Sequence, residues 1–190
     1  MPNLKGFHAQ PSGSMVCGAY ALTAILDVFN LLPASKTTIL KYGNRKSAIY
    51  QGTSGLTVAR NIYAITGCGP GGNNLPAAMS YVATEFGLKP TVGFMKGCPL
   101  LSHPLFGALF KNEQSACQTL GAGGKEGVFS PAAANVCQAI CVDNGGGGFH
   151  WLALGENGLY MDPGDGKLHS WASLGTTSYT PVGLWISLAN

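Results

Sequence analysis

Apolar positions in the first part of the chain fall on one helical stripe. Tyr20, Ala21, Ala24, Ile25, Val28, Phe29 and Leu32 recur at three- and four-residue spacing, which turns one face of a helix toward a core. Ser12 or Ser14 offers a hydroxyl to cap the first free amides, and Pro33 ends the pattern. The stripe predicts the central buried helix of the fold. A second helix is predicted from Leu56 to Ile65, broken by Gly67-Cys68-Gly69-Pro70-Gly71-Gly72. Asn73 or Asn74 then caps a third, Leu75 to Phe86, with Gly87 as its stop. Residues 34–53 are mixed and polar. Thr91 to Phe94 has the look of a short strand, and Leu100 to Gln118 is helical in part, broken by Pro104. Residues 121–131 form a Gly-rich loop, and Pro131 to Asn135 fits either a short helix or a loop.

The period then changes. Val136 to Val142 is an apolar run of strand length, followed by four glycines, 145–148. Phe149 to Leu154 is a second strand. Gly155-Glu156-Asn157-Gly158 is a hairpin turn, since Asn-Gly supplies the positive φ such turns need. Leu159-Tyr160-Met161 returns and stops at Asp162-Pro163, and Asp165-Gly166 marks a further turn. Tyr179 to Ser187 alternates as a last strand. Helices first and antiparallel strands second predict a two-layer α+β fold. No repeat or linker divides the chain, so residues 1–190 are expected to form a single domain.

Composition narrows the function classes. Charged residues are 10% and the net charge is +3, with no clustered basic face of the kind that nucleic acid requires. No uncharged apolar run approaches the ~20 residues of a membrane helix. Met1 to Ser14 has no apolar core segment and does not resemble a secretory signal. The expectation is a protein made in a cytoplasm, with no nucleic-acid partner and no membrane insertion. Any export would need a route without such a signal. The six cysteines, at 17, 68, 98, 117, 137 and 141, make no Cys-x-x-Cys pair and no zinc-type spacing. Five are read as small buried residues, though an even count permits disulfides outside a cell. His8, His103 and His169 lack metal-type spacing, so no metal and no cofactor is expected. Gly67-x-Gly69-x-x-Gly72 formally matches a dinucleotide fingerprint. It holds Pro70, has no clear strand before it and no acidic residue about 20 positions on.

Four residues carry possible chemistry, and each also has a plain structural reading. Cys17-Gly18 falls in the first turn of the buried helix. The helix dipole there favours thiolate, the nucleophilic form, and Gly18 leaves room for a substrate carbonyl. The plain alternative is a small core cysteine. His150, between Phe149 and Trp151, starts an apolar strand after a flexible loop and can act as the general base. A structural histidine among aromatics is the alternative. Asp162 ends the strand that pairs with the one His150 opens, so its carboxylate can orient the imidazole. An Asp opening a turn before Pro is common, and Asp165 competes for the role. Gln10, with the backbone N–H of Cys17, can bind a developing oxyanion. Gly18, Phe149 and Trp151 are candidates for substrate contact, and Trp151 also for shielding the ion pair from water.

Taken in order, a Gln, a Cys-Gly opening a helix, a His leading a strand and a hairpin ending in Asp-Pro resemble the papain-like cysteine peptidases. The pattern looks most like the bacterial double-glycine peptidases, which trim bacteriocin leader peptides after Gly-Gly. The resemblance implies a papain-like fold, with Cys17, His150 and Asp162 as catalytic residues and Gln10 in the oxyanion hole. It covers residues 10–32 and 136–165. Gln10 lies seven positions before Cys17, one more than is usual in that family. The interval from Cys17 to His150 is longer than in transporter-linked members, which implies extra helices within 33–130. Related papain-like domains are toxins that bacteria deliver into competitors. The resemblance therefore extends to a protein or peptide substrate, a specialised secretion system and a cognate immunity protein that blocks the cleft. The same side chains would also serve a cell-wall peptide amidase or a glutamine deamidase, and a binding module can keep the fold without catalysis.

Overall fold

The computed structural model describes residues 3–131 and 133–190. Met1 and Pro2 of the expected domain, and Ala132 of the ambiguous stretch 131–135, lie outside the described residues. The helices are α1 (Cys17–Val28), α2 (Gly55–Thr66), α3 (Pro76–Glu85), the single turn α4 (Pro99–Ser102) and α5 (Gly107–Thr119). The strands are β1 (Thr38–Tyr42), β2 (Arg45–Ile49), β3 (Lys89–Met95), β4 (Gly123–Gly127), β5 (Val136–Asp143), β6 (Phe149–Leu154), β7 (Leu159–Asp162), β8 (Lys167–Ser170) and β9 (Thr180–Ala189). β1 and β2 form a hairpin of their own, and the other seven make one sheet in the order β4-β3-β9-β5-β6-β7-β8. Neighbours in that sheet run antiparallel except β3 with β4. The fold is α+β, with Cys17 on the N-terminal helix and His150 and Asp162 on the C-terminal, mostly antiparallel sheet, consistent with a papain-like peptidase. Among the described residues no helix is long and apolar enough to cross a membrane.

α1 is the central helix its apolar stripe predicts. Every one of its residues except Asp27 is buried, and a helix that is apolar all round belongs inside a core. It packs on β5, β6 and β7 on one side and on α2 and α3 on the other. Small residues at 19, 21 and 24 let these neighbours come close, and Thr23 satisfies its hydroxyl by donating to the Ala19 carbonyl at 2.7 Å. The opposite face of the sheet has its own smaller core. There Ile140, Val142, Leu152, Leu154, Tyr160 and Trp185 pack with Phe129, Trp171 and Tyr179.

Several elements depart from the sequence pattern, each for a physical reason. α1 starts at Cys17, and neither Ser12 nor Ser14 caps it. The third helix is not capped by Asn73 or Asn74. The carboxylate of Glu113 on α5 instead accepts the Ala77 N–H at 3.0 Å, supplying from a distant helix the acceptor that a cap residue would. The polar stretch 34–53 holds the β1–β2 hairpin, whose buried Thr38 and Leu40 alternate with exposed Ile39 and Lys41. The Gly-rich stretch 121–131 holds β4. Gly123 and Gly124 take φ of 87° and 81°, and their missing side chains let the Val92 and Gln114 carbonyls approach within 2.8 and 2.5 Å of where a Cβ would sit. β8 follows the turn at Asp165-Gly166 and has no sequence signal of its own, because four residues that include Lys167 and His169 carry no apolar alternation.

Gly93 on β3 faces Trp185 across the strand pair, and a Cβ there would lie 2.2 Å from the indole ring. Gly93→Ala is therefore expected to lower the unfolding free energy by about 1–3 kcal/mol, the usual cost of overpacking. Urea unfolding should show a lower midpoint with an unchanged slope; an unchanged midpoint would contradict this account of the Gly93–Trp185 contact.

Candidate active site

The start of α1 is held open by a neighbour rather than closed by a cap. Val16 is the N-cap residue and no side chain caps the helix, so the first-turn amides, Cys17 N–H included, remain without helical partners. Ser14 Oγ is buried without a hydrogen bond among the described residues. Asn74 fixes the approach to the helix instead. Its Nδ2 donates to the Met15 carbonyl at 2.6 Å, and its Oδ1 accepts from Thr66 Oγ1 at 2.7 Å. Its own carbonyl accepts the Trp151 indole N–H at 3.2 Å. One buried residue, through its side chain and its carbonyl, thus ties the approach to α1, the end of α2 and β6 together. Gly18 belongs to this contact. A Cβ there would lie 2.5 Å from Asn74 Cβ and 3.0 Å from Met79 Sδ. The missing side chain at 18 makes room for Asn74.

His150 and Asp162 meet as the hairpin predicts. Nε2 of His150 lies 2.8 Å from Asp162 Oδ1, with both residues buried. The same Oδ1 accepts the Gly164 N–H at 2.7 Å, and Oδ2 accepts the Tyr179 hydroxyl at 2.7 Å. The Tyr179 ring stacks on the imidazole, with centroids 5.4 Å apart and planes 19° apart. Burial alone would lower the His150 pKa, but hydrogen bonds with Asp162 and with the Cys17 thiol outweigh it and push the ring up to about 9. Burial alone would raise the Asp162 carboxyl, yet the donors from His150, Tyr179 and Gly164 hold it below its ordinary value. Near neutral pH this is an imidazolium–carboxylate pair, and the Cys17 thiol is close enough to help raise the ring's pKa. Since Asp162 engages Nε2, the nitrogen left for the thiol is Nδ1. Asp165, the competing carboxylate, is used elsewhere and lies 3.0 Å from His169 on the surface.

Gln10 reaches the site along an N-terminal strap. Phe7 N–H donates to the Gly166 carbonyl at 2.8 Å and Gln10 N–H to the Pro163 carbonyl at 2.7 Å. Leu4 is buried in the main core and Phe7 packs edge-on against Tyr20. Gly166 makes the docking possible, because a Cβ there would lie 2.3 Å from the Phe7 carbonyl. This places Gln10 beside the corner that follows Asp162. Its Oε1 is buried and takes no hydrogen bond among the described residues. Phe149 packs against His103, Phe106 and Phe110. With the buried Trp151, Pro70 and Leu75, the rings of Phe106, Phe110 and Phe149 line an apolar cleft beside β6. The indole of Trp151 is engaged with the Asn74 carbonyl, so Trp151 braces the site from below.

All six cysteines are free thiols. Burial pushes Cys68 and Cys98 up, Cys117 and Cys137 to about 12, and Cys141 well above its ordinary value. His103 spends its Nδ1 accepting the Leu105 and Phe106 N–H groups. Among the described residues no three His, Cys, Asp or Glu side chains gather to hold a metal ion. Sequence reasoning missed two residues of the site. Asn74 was read as a helix cap, and Tyr179 as the first residue of a strand. Each works on residues far away in the chain, so no local pattern marks either one.

A model of the family described as Invasion plasmid antigen J, cysteine protease, matches residues 9–190, which takes in Gln10, Cys17, His150 and Asp162. No curated protein matches the chain.

Two outcomes follow from the geometry. Iodoacetamide near neutral pH is expected to modify Cys17 ahead of the other five thiols, which burial keeps protonated. Peptide mass spectrometry reads the order, and equally fast labelling of Cys141 would contradict it. The ion pair also makes stability depend on pH. The folded pKa of His150 is raised from 6.5 to about 9, so its contribution is complete below 6.5 and is lost as pH climbs through about 9. The folded pKa of Asp162 lies below 3.8, so its contribution is complete above 3.8 and is lost as pH falls through the depressed value. The thermal midpoints of wild type and Asp162→Asn should differ most between pH 3.8 and 6.5 and converge toward pH 9. A gap that stays constant from pH 6 to 9 would remove the pair from the stability account.

Proposed function

We propose that this chain, which belongs to the invasion plasmid antigen J family of cysteine proteases, cuts a peptide bond with the Cys17 sulfur as nucleophile. The observation that carries this reading is the buried His150–Asp162 pair at 2.8 Å, with the Cys17 thiol among the groups that raise the ring's pKa. The sulfur attacks the scissile carbonyl carbon. His150 holds the proton that the thiol gives up and passes it to the leaving amine as the C–N bond breaks. Water then attacks the thioester, His150 takes its proton, and the thiol is restored. Asp162 fixes the ring's tautomer and orientation throughout. The negative charge on the carbonyl oxygen is received by the uncapped Cys17 N–H and the side-chain amide of Gln10. The Gln10 role is supported by its anchorage at Pro163, beside the corner that follows Asp162.

The substrate of a protease is a protein or peptide. The finer reading is cleavage after glycine, with Gly-Gly as the preferred pair. It is supported by the depth of the nucleophile: Cys17 is only 5% exposed, and a large side chain next to the scissile bond would have to displace its walls. Residues 1–190 act as one papain-like peptidase domain in this reading. The family description, an invasion plasmid antigen, supports an effector that works as a toxin in a target cell after delivery by a specialised secretion system. A surface with only 10% charged residues supports a protein partner that covers it in the producer, which would be an immunity protein over the cleft.

Terminal proteomics of cells expressing wild type against Cys17→Ala tests the reading. New protein N-termini that follow glycine are expected with wild type alone. Persistence of the same termini in Cys17→Ala cells would refute the nucleophile. A wild-type protein that makes no new termini but converts Gln to Glu in its targets would turn the assignment to deamidation.

A further inference from the structure

Tyr179 makes two separate contacts with the His150–Asp162 pair, and neither resembles incidental packing. It sits at the root of β9, where Thr180 pairs with Asp143 on β5 and Val142 on β5 pairs with His150 on β6. Its ring crosses the end of β5 to lie flat on the imidazole, while its hydroxyl donates to Asp162 Oδ2. The backbone that presents it is fixed from two sides. Thr177 Oγ1 accepts the Tyr179 N–H at 3.0 Å and donates to the Leu174 carbonyl at 2.7 Å. Gly145, at φ 78°, lets Ser178 close in, since a Cβ there would lie 3.1 Å from Ser178 Cβ. The glycines before His150 therefore do more than provide slack. One of them seats the segment that carries Tyr179.

We infer that Tyr179 is a positioning residue for the proposed reaction, holding the Asp162 carboxylate and the His150 ring in the alignment that keeps a proton on the ring. The inference rests on the reading of Cys17, His150 and Asp162 given above. Among the described residues, Oδ1 of Asp162 receives His150 Nε2 and Gly164 N–H, whereas Oδ2 receives only the Tyr179 hydroxyl. A buried carboxylate oxygen without a donor is costly. Without the phenol, the carboxylate turns Oδ2 toward water and takes Oδ1 out of line with Nε2. The stacked ring fixes the other partner, because it limits rotation of the imidazole about its own side-chain bond. The ionisable groups around the pair are few. The Cys17 thiol faces the ring, and Tyr160 and Asp165 stand behind Asp162 and Tyr179. None of these can replace a donor to Oδ2 except Tyr160, whose ring instead packs against His169 and Trp171.

The test needs no substrate. The ring-proton resonance of His150 is followed by NMR across pH in wild type and in Tyr179→Phe, which keeps the stacking surface and loses only the hydroxyl. The midpoint is expected to fall by about 1 pH unit in the variant, the size of one hydrogen bond to a charged group. The high-pH limb of Cys17 alkylation by iodoacetamide should move down with it. Tyr179→Leu, which also removes the stack, should shift both further. A His150 midpoint that stays at its wild-type value in Tyr179→Phe, or moves upward, overturns the inference. So does failure of Tyr179→Phe to fold, which would make the hydroxyl a structural support. Because the readout is the imidazole itself, this result is separate from whether Cys17→Ala abolishes proteolysis.

Discussion

One buried ion pair organises the C-terminal half of the chain. A carboxylate and an imidazole can share a proton inside a protein only if each remaining lone pair and N–H finds a partner. The local backbone is arranged to supply those partners. The tight β6–β7 hairpin sets the start of one strand beside the end of the other. The turn after Asp162 aims the Gly164 N–H back at Oδ1, and the segment leading into β9 brings a phenol to Oδ2. With these donors in place the pair stays charged where an unassisted carboxylate would be driven neutral by burial. The cysteine is added from the other layer, at a helix start that no side chain caps.

The two layers are joined at that point by polar atoms rather than apolar ones. Most of the interface between α1 and the sheet is non-directional apolar contact. Such contact stabilises association but tolerates sliding. Asn74 removes that freedom, because its three hydrogen bonds fix α1, α2 and β6 to common atoms, and Gly18 lets it approach. Placement of a sulfur against a ring to within a few tenths of an ångström depends on directional bonds of this kind.

Sequence pattern revealed the parts of the protein that local physics controls. The central helix and the strand pair around Asn157-Gly158 are properties of short windows, and both are legible, although the apolar stripe runs on to Leu32 while α1 ends at Val28. The meeting of His150 and Asp162 is legible too, since a strand start and a hairpin end are local features whose geometry brings the two together. What was not legible depends on distant partners. β4 is a strand because β3 offers an edge to glycines that have no strand preference of their own. α3 begins under a carboxylate 36 positions further along the chain. Asn74 and Tyr179 act through contacts 59 and 17 residues away, and Gly18 serves a side chain that no window around Cys17 contains.

The N-terminal strap has a consequence for the order of events during synthesis. Its anchor points, the carbonyls of Pro163 and Gly166, belong to a stretch that leaves the ribosome long after Leu4 and Phe7. Until then the strap has nowhere to dock, and the amide at position 10 has no fixed place. A nascent chain thus carries its sulfur early but gains a complete crevice only after the stretch through Gly166 has been made.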